Sequence, residues 1–137
     1  MQQVVVSVKA LIKRDNTFLL LRERLHKGDV WDLPGGKIQY GESVEQALKR
    51  EIQEELDLKI NIIKLAGIWH FISLHHKQHV VCITYICEVE GDLKIDTSKN
   101  PADENFTDMK WLTVDEILSI NDPSITESLK MLLKSIA

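Results

Sequence analysis

The chain has 137 residues, of which 44% are apolar and 28% charged, and its net charge is −4. This length suits a single domain over residues 1–137 with a sizeable core. The negative charge argues against a basic groove for long nucleic acids. Apolar runs are too short for a membrane span, and the N-terminus does not look like a signal peptide. We therefore expect a cytoplasmic protein without membrane contact.

Two cysteines, Cys82 and Cys87, lie in one apolar run. On a strand, residues five apart point to opposite faces, so these two thiols cannot pair with each other. We expect both cysteines to be free and buried, because unpaired cysteines behave as small apolar residues.

Hydrophobic periodicity predicts a chain in which strands and helices are mixed. Strands are expected at residues 4–12, 17–22, 59–66, 67–74, 79–90 and 109–112. Loops are expected at residues 22–29 and 96–105, and a short extended piece at residues 32–36. Helices are expected at residues 43–56, from Thr113 onward, and along the apolar positions from Ile125 to Ile136. This order predicts an α/β fold in which helices cover a mixed sheet.

The predicted helix at residues 43–56 carries acidic side chains on a face that should be apolar. Its apolar stripe recurs every four residues from Val44. At about 100° per residue, Glu51 and Glu55 each fall within about 20° of Val44, and Glu54 lies about 60° beyond Glu51. A solvated helix face would place these charges opposite the stripe. Like charges on a half-buried face require a cation, and Mg²⁺, or more than one such ion, is the obvious candidate.

The stretch from Gly36 to Leu58 resembles the signature of the Nudix hydrolases. That signature places a glutamate six positions after a glycine, and Arg-Glu, an aliphatic residue, any residue and Glu-Glu eight positions farther on. Here Gly36 and Glu42 have this spacing, and Arg50 begins the sequence Arg-Glu-Ile-Gln-Glu-Glu. Asp57 replaces the glycine that the signature has near its end. Because aspartate visits the left-handed region more readily than most residues, we expect a modest stability cost and no lost ligand.

The resemblance implies a fold and an activity. The fold would be an α/β/α sandwich with a mixed sheet, and the enzyme would hydrolyse a diphosphate that links a nucleoside to another group X. Arg50 would orient a glutamate, and Glu42 would support the helix or the outer metal shell. The family often forms homodimers, so a homodimer is possible. The resemblance also implies that Mg²⁺ or Mn²⁺ is held by Glu51, Glu54, Glu55 and the carbonyl of Gly36.

Two residues are candidates for the base that deprotonates the attacking water. In this family the base is either a signature glutamate, which here is Glu54, or an acidic residue on a loop before the last strand. The second candidate is therefore Glu104, with Asp103 beside it. A solvated loop is an equally good interpretation of these two residues.

Candidates for substrate contact also lie outside the signature. Trp69 begins a strand near the expected substrate side and could stack on a nucleobase, although a place in the core is favoured. Arg22 and Arg24 could reach phosphate, although a surface position is favoured. A zinc site is disfavoured, because no third ligand is suitably spaced from the histidines at 70, 75, 76 and 79.

Two other functions remain open. A Nudix-like domain could sense a nucleotide without cleaving it, although no signature carboxylate is missing here. A structural domain with a charged helix would bind neither metal nor nucleotide. The sequence does not identify the group X.

Overall fold

A computed structural model describes residues 1–25, 28–98 and 106–137 of the chain. Within these ranges the first four strands precede a long helix, and three more strands and two helices follow. The elements are β1 (Gln3–Arg14), β2 (Thr17–Leu25), β3 (Gly28–Asp32), β4 (Gly35–Lys37), α1 (Val44–Leu56), β5 (Ile60–Ser73), β6 (Gln78–Val89), β7 (Phe106–Leu112), α2 (Val114–Leu118) and α3 (Glu127–Ile136).

The strands form one mixed sheet that lies between helices on both faces. Its order is β3-β2-β1-β6-β5, with β4 paired to β1 and β7 paired to β2. The β1–β6 pair is parallel, and the other pairs are antiparallel. One apolar core packs α1 against the sheet, and a second core packs α2 and α3 against the opposite face. The predicted α/β/α sandwich with a mixed sheet is confirmed.

Strand β1 changes partner along its length, and this change shapes the molecule. Its middle residues, Ser7 to Lys9, pair with β4, whereas β2 is its partner at Lys13 and Arg14. The two halves of the sheet therefore separate beside β1. This separation leaves space next to the double glycine of β4, on the side from which α1 approaches.

The structure corrects the prediction for residues 22–29. They were expected to form a charged loop, but β2 continues to Leu25 and β3 begins at Gly28. Opposite charges on the two strands stabilise this antiparallel pair, because the side chains of Arg22 and Arg24 both lie near the carboxylate of Asp29.

The two strands expected at residues 59–66 and 67–74 are one continuous strand, β5. Its register with β6 shifts between Ile62 and Lys64 and again between Leu65 and Gly67. These irregularities interrupt the alternation of apolar residues, which explains why the pattern suggested two strands. None of the helices in the described ranges is long and apolar enough to cross a membrane.

Helix α1 begins at a capping box and buries the predicted stripe. The hydroxyl of Ser43 accepts from the Gln46 backbone N–H at 3.1 Å, and the Gln46 side chain accepts from the Ser43 N–H at 3.0 Å. Leu48 and Ile52 are fully buried against the sheet. Glu55 is only 4% exposed, so the prediction that an acidic residue lies within the apolar stripe is confirmed.

Both cysteines are free and buried, as predicted. Cys82 belongs to the core under α2 and α3, whereas Cys87 belongs to the core under α1. Burial raises the pKa of each thiol to about 12, so both stay protonated and unreactive in the folded protein.

Asp57 ends α1 in the left-handed conformation, as expected for the residue that replaces the signature glycine. Its φ and ψ are 54° and 41°, and its N–H donates to the Gln53 carbonyl. Its carboxylate accepts a 2.6 Å hydrogen bond from the Gln53 side chain, which offsets part of the conformational cost.

We predict that the residue at position 57 sets stability through this backbone conformation. Asp57→Val should lower the free energy of unfolding by about 1–2 kcal/mol, because a β-branched residue is strained in the left-handed region. Asp57→Gly should be at least as stable as the wild type. Urea unfolding measures both, and a stable valine variant would contradict this account of the helix end.

Candidate active site

A cavity of about 430 Å³ lies where the sheet separates beside β1, with α1 along one side. Carboxylates, three cationic side chains and the backbone of the double glycine line it. The lining residues are Ser7, Lys9, Leu21, Glu23, Asp32, Leu33, Gly35, Gly36, Lys37, Gln39, Arg50, Glu51, Glu54, Glu55 and Phe106. The structure thus brings Gly36, Arg50 and three signature glutamates to one place, as the sequence predicted.

Gly36 and Glu51 are in direct contact. A Cβ atom added at Gly36 would lie 2.5 Å from the carboxyl carbon of Glu51, far inside van der Waals contact. The absence of a side chain at this position therefore lets a carboxylate lie directly against the backbone of β4.

Arg50 is the cation among the signature glutamates. Its guanidinium donates to both oxygens of Glu42, at 2.7 and 2.9 Å, and to Glu51 at 2.9 Å. It also donates to Glu54 at 3.3 Å and to the Lys37 carbonyl at 3.2 Å. The planar fork of arginine suits such a set of acceptors. Arg50 therefore contacts three glutamates, whereas the resemblance implied that it orients one.

These ion pairs favour the charged forms of their partners. The hydrogen bonds from Arg50 lower the pKa of Glu42, and the Gln39 N–H reinforces the effect by donating to the same carboxylate at 2.8 Å. Glu42 thus fixes both Arg50 and the turn before α1. It contacts the helix rather than lining the cavity, which agrees with the supporting role that the resemblance implied.

Glu55 connects α1 to the double glycine. Its carboxylate accepts from the Gly35 N–H at 2.7 Å, inside the protein. A Cβ added at Gly35 would clash with the backbone of β1, 2.9 Å from the Lys9 Cα. Gly35 must therefore lie flat against β1, and this close approach is what aligns its N–H with Glu55.

A buried lysine lies on the other side of the cavity. The ammonium of Lys9 donates to Asp32 at 2.9 Å and to the Leu33 carbonyl at 3.4 Å. Burial disfavours the charged form, but the neighbouring carboxylates of Asp32 and Glu55 outweigh it, and the pKa of Lys9 is raised. Lys9 thus stays cationic and ties the segment that leads into the double glycine to β1.

The carboxylates fit a hard divalent cation by chemistry, although they do not yet converge on one point. Among the described residues, no three Asp, Glu, His or Cys side chains lie close enough to define a metal site by position alone. Arg50 donates hydrogen bonds to Glu51 and Glu54, at distances that ordinary rotamer changes can alter. A carboxylate has about four lone-pair positions, so the bonds from Arg50 leave its oxygens able to take further partners.

Arg22 and Arg24 do not line the cavity, in contrast to the possibility that they reach phosphate there. Because strand side chains alternate, Glu23 faces the cavity and the two arginines face the opposite side of the sheet. The Arg22 guanidinium lies 5.3 Å from the Trp31 ring centroid, and both arginines pair with Asp29.

Trp69 lies in the core and not on a substrate surface, so its proposed stacking on a base is corrected. It is 2% exposed, packs under α3, and donates its indole N–H to the Thr84 hydroxyl at 3.0 Å. The other candidate base, Glu104, lies outside the described residues together with Asp103.

A family model described as the NUDIX domain matches residues 1–132 of the chain. The chain belongs to the Nudix family. The resemblance drawn from the signature at residues 36–58 is thereby confirmed over nearly the whole chain.

Relatives within the Nudix family differ in their named activities. An ADP-ribose pyrophosphatase of Methanocaldococcus jannaschii is 36% identical over 88 residues, which are 63% of this chain and 52% of that protein. An 8-oxo-dGTP diphosphatase of Buchnera aphidicola is 33% identical over 125 residues, covering 90% and 88% of the two chains. The crystal structure of a MutT NUDIX hydrolase from Burkholderia pseudomallei has a TM-score of 0.76 and 28% identity, with 99% and 100% covered. The match thus spans about half of the archaeal relative's length.

Sequence reasoning missed Lys9, Asp32 and Glu23, which this Nudix domain places in the cavity wall. A signal was present for the first: Lys9 is the single charged residue of the strand predicted at residues 4–12, and a buried lysine needs an acidic partner. The sequence did not identify Asp32 as that partner, because it lies 23 positions away on another strand.

We predict different outcomes for the two glycines of this Nudix domain. Gly35→Ala should lower the free energy of unfolding by at least about 2 kcal/mol, because its φ of 143° and the β1 backbone leave no room for a side chain. Gly36→Ala should cost less than about 1 kcal/mol, since the Glu51 side chain can move away. Urea unfolding measures both variants. Equal losses of unfolding free energy would contradict the claim that Gly35 is packed against backbone and Gly36 against a movable side chain.

Proposed function

We propose that this protein is a divalent-metal-dependent hydrolase of nucleoside diphosphate derivatives. One observation carries the proposal: three signature carboxylates, the Gly36 backbone and Arg50 line a single cavity. An acidic cavity of this kind repels a diphosphate unless cations lie between them. Lys9, Lys37 and Arg50 supply positive charge, but Arg50 is largely neutralised by its glutamates.

The groups that would hold Mg²⁺ or Mn²⁺ are hard oxygen donors, which these ions prefer. They are Glu51, Glu54, Glu55 and the carbonyl of Gly36. The bound metal would offset the charge that develops on the diphosphate oxygens. The fit is supported by the missing Cβ at Gly36, which lets the Glu51 carboxylate lie directly against the β4 backbone.

The residues around these ligands would hold the ligands in position. Arg50 positions Glu51 and Glu54, and the Gly35 N–H positions Glu55. Lys9 holds the segment before the double glycine. None of these groups needs to change its charge during the reaction.

Glu54 is the best-placed described residue to accept a proton from the attacking water. Its side chain is 36% exposed, compared with 16% for Glu51, and its contact with Arg50 is the longest of that residue's ion pairs. Such a carboxylate is exposed enough to contact a water molecule. Glu104 stays a second candidate for the same role.

The named activities of the relatives indicate the substrate class. One relative is called an ADP-ribose pyrophosphatase and another an 8-oxo-dGTP diphosphatase. Both names describe cleavage of a phosphoanhydride next to a nucleoside. We therefore propose a nucleoside di- or triphosphate derivative as the substrate, which agrees with the polar cavity and leaves X open.

A sensor that binds the nucleotide without cleaving it is the alternative. It is disfavoured because every signature carboxylate is present, and Glu51, Glu54 and Glu55 line one cavity. The test is a panel of ADP-ribose, dinucleotides, nucleotide sugars, and normal and oxidised nucleoside triphosphates, with Mg²⁺ or Mn²⁺. Turnover of at least one is expected. Tight binding without product would support the sensor instead.

We predict that Glu54→Gln lowers kcat for the best substrate by about 10²–10⁴-fold, the range that a general base contributes. The fold should be unchanged, because Glu54 is half-buried and makes one long ion pair. Glu45→Gln is the matched control, since Glu45 is an exposed residue of the same helix outside the cavity. Activity of Glu54→Gln equal to that control would remove Glu54 from the mechanism.

A further inference from the structure

Strand β7 has an extra residue beside the cavity, and this bulge sets the direction of the Phe106 side chain. Across the pair of β2 and β7, Arg22 lies opposite Asp108. The next residue of β2, Glu23, lies opposite Phe106, so Thr107 has no counterpart. In regular alternation Phe106 would share a face of the sheet with Asp108. The bulge turns it to the other face, where it packs against the core under α1 and lines the cavity.

The side chain of the extra residue, Thr107, holds the bulge in place. Its hydroxyl lies 3.3 Å from the Arg22 carbonyl and 3.2 Å from the Asp29 carboxylate, and it can donate to either acceptor. Because Arg22 belongs to β2 and Asp29 to β3, the bulge is fixed to both strands of the neighbouring hairpin. Bulges of this kind often redirect a side chain beside an active site.

The two walls of the cavity differ in chemistry. One wall, formed by α1 and β4, carries three signature glutamates and the backbone of the double glycine. The other wall, formed by β2 and β7, contributes Leu21, Glu23 and Phe106. Leu21 is only 1% exposed, whereas Glu23 and Phe106 are half-buried. The surface that the β2–β7 wall offers to a ligand is therefore one carboxylate beside one aromatic ring.

A carboxylate on this wall suits the uncharged part of a nucleotide. Glu23 repels phosphate, so a diphosphate in the cavity is directed toward the metal-binding wall and the nucleoside toward β2. A carboxylate has two acceptor oxygens, which match the two adjacent hydroxyls of a ribose, and O–H bonds to a charged acceptor are strong. The aromatic ring of Phe106 suits a nucleobase, since every base has a flat face that can stack.

The size of the cavity agrees with this arrangement. Its volume of about 430 Å³ lies near the lower end of the range for small-molecule sites. In a nucleoside diphosphate the ribose is joined directly to the first phosphate. A ribose whose diphosphate is bound at Gly36 therefore lies in the same cavity, within reach of the β2–β7 wall.

We propose that Glu23 and Phe106 bind the nucleoside of the substrate, and that Glu23 makes the site selective for ribonucleotides. This inference rests on the proposed function. Glu23 accepts hydrogen bonds from the 2′- and 3′-hydroxyls of the ribose, and the ring of Phe106 packs on the base. A 2′-deoxyribonucleotide lacks one of these donors. The site thus favours derivatives such as ADP-ribose over deoxynucleoside triphosphates.

The test is calorimetry in Mg²⁺ with methylene-bridged diphosphates of the four ribonucleosides and with their 2′-deoxy counterparts. Such analogues are not cleaved, so binding is measured without turnover. The wild type should bind the ribose form of its preferred nucleoside at least about tenfold more tightly than the deoxy form, the effect of one hydrogen bond to a charged acceptor. Glu23→Leu should bring this ratio to about one, and Glu23→Gln, which keeps one acceptor oxygen, to an intermediate value.

Two further variants complete the test. Glu88→Leu is the matched control, because Glu88 is an exposed strand residue outside this cavity, and it should keep the wild-type ratio. Phe106→Leu should weaken the binding of both forms by the same factor, about fivefold to tenfold, because it removes the stacking surface and leaves the carboxylate.

Several results would overturn the inference alone: equal affinity of the wild type for both forms, an unchanged ratio in Glu23→Leu, or unchanged binding in Phe106→Leu. A changed preference among bases in Glu23→Leu, without a changed ratio, would show that the carboxylate contacts the base instead. Weaker Mn²⁺ binding by Glu23→Leu without nucleotide would make it a metal ligand. Failure of the proposed function looks different: the wild type would bind none of the analogues, and both proposals would fall together.

Discussion

The guanidinium of Arg50 holds together a set of carboxylates that would otherwise repel one another. Glu51 and Glu55 lie on the half-buried side of α1, where like charges are costly. Arg50 compensates Glu42, Glu51 and Glu54, and the Gly35 N–H compensates Glu55. The hydrogen bonds from Arg50 lower the pKa of Glu42. A carboxylate that accepts such bonds still has lone pairs that a metal could use.

The backbone around the double glycine depends on the same arrangement. Gly35 must pack flat against β1, and Gly36 must leave space for Glu51. Lys9 holds the preceding segment through Asp32. The change of partner along β1 creates the opening in which these groups meet. The fold thus places α1 beside the short strand β4, and the candidate active site lies between them.

Much of the site was predictable because it is local in sequence. The spacing from Gly36 to Leu58 indicated the family, and the helical wheel placed Glu55 on the buried face. The left-handed conformation of Asp57 followed from its place at the helix end. These features depend on neighbours within one or two helical turns, where periodicity and capping rules apply directly.

Other features depend on contacts between distant segments, which the sequence does not encode in any simple pattern. The partner of Lys9 lies on another strand. The side of the sheet on which the side chains of Arg22 and Arg24 lie depends on the register of β2. Residues 22–29 looked like a loop because charge pairing across an antiparallel hairpin does not produce apolar alternation. A place in the core was favoured for Trp69, but stacking on a base stayed possible, and the packing of α3 against it decides for the core.

Anomalous diffraction from a crystal grown with Mn²⁺ tests the central claim most directly, since it locates the metal without relying on activity. The account predicts Mn²⁺ in contact with carboxylate oxygens of Glu51, Glu54 or Glu55 and with the Gly36 carbonyl, with Arg50 still holding Glu42. No manganese in the cavity at millimolar concentration, or manganese bound only elsewhere on the protein, would contradict it.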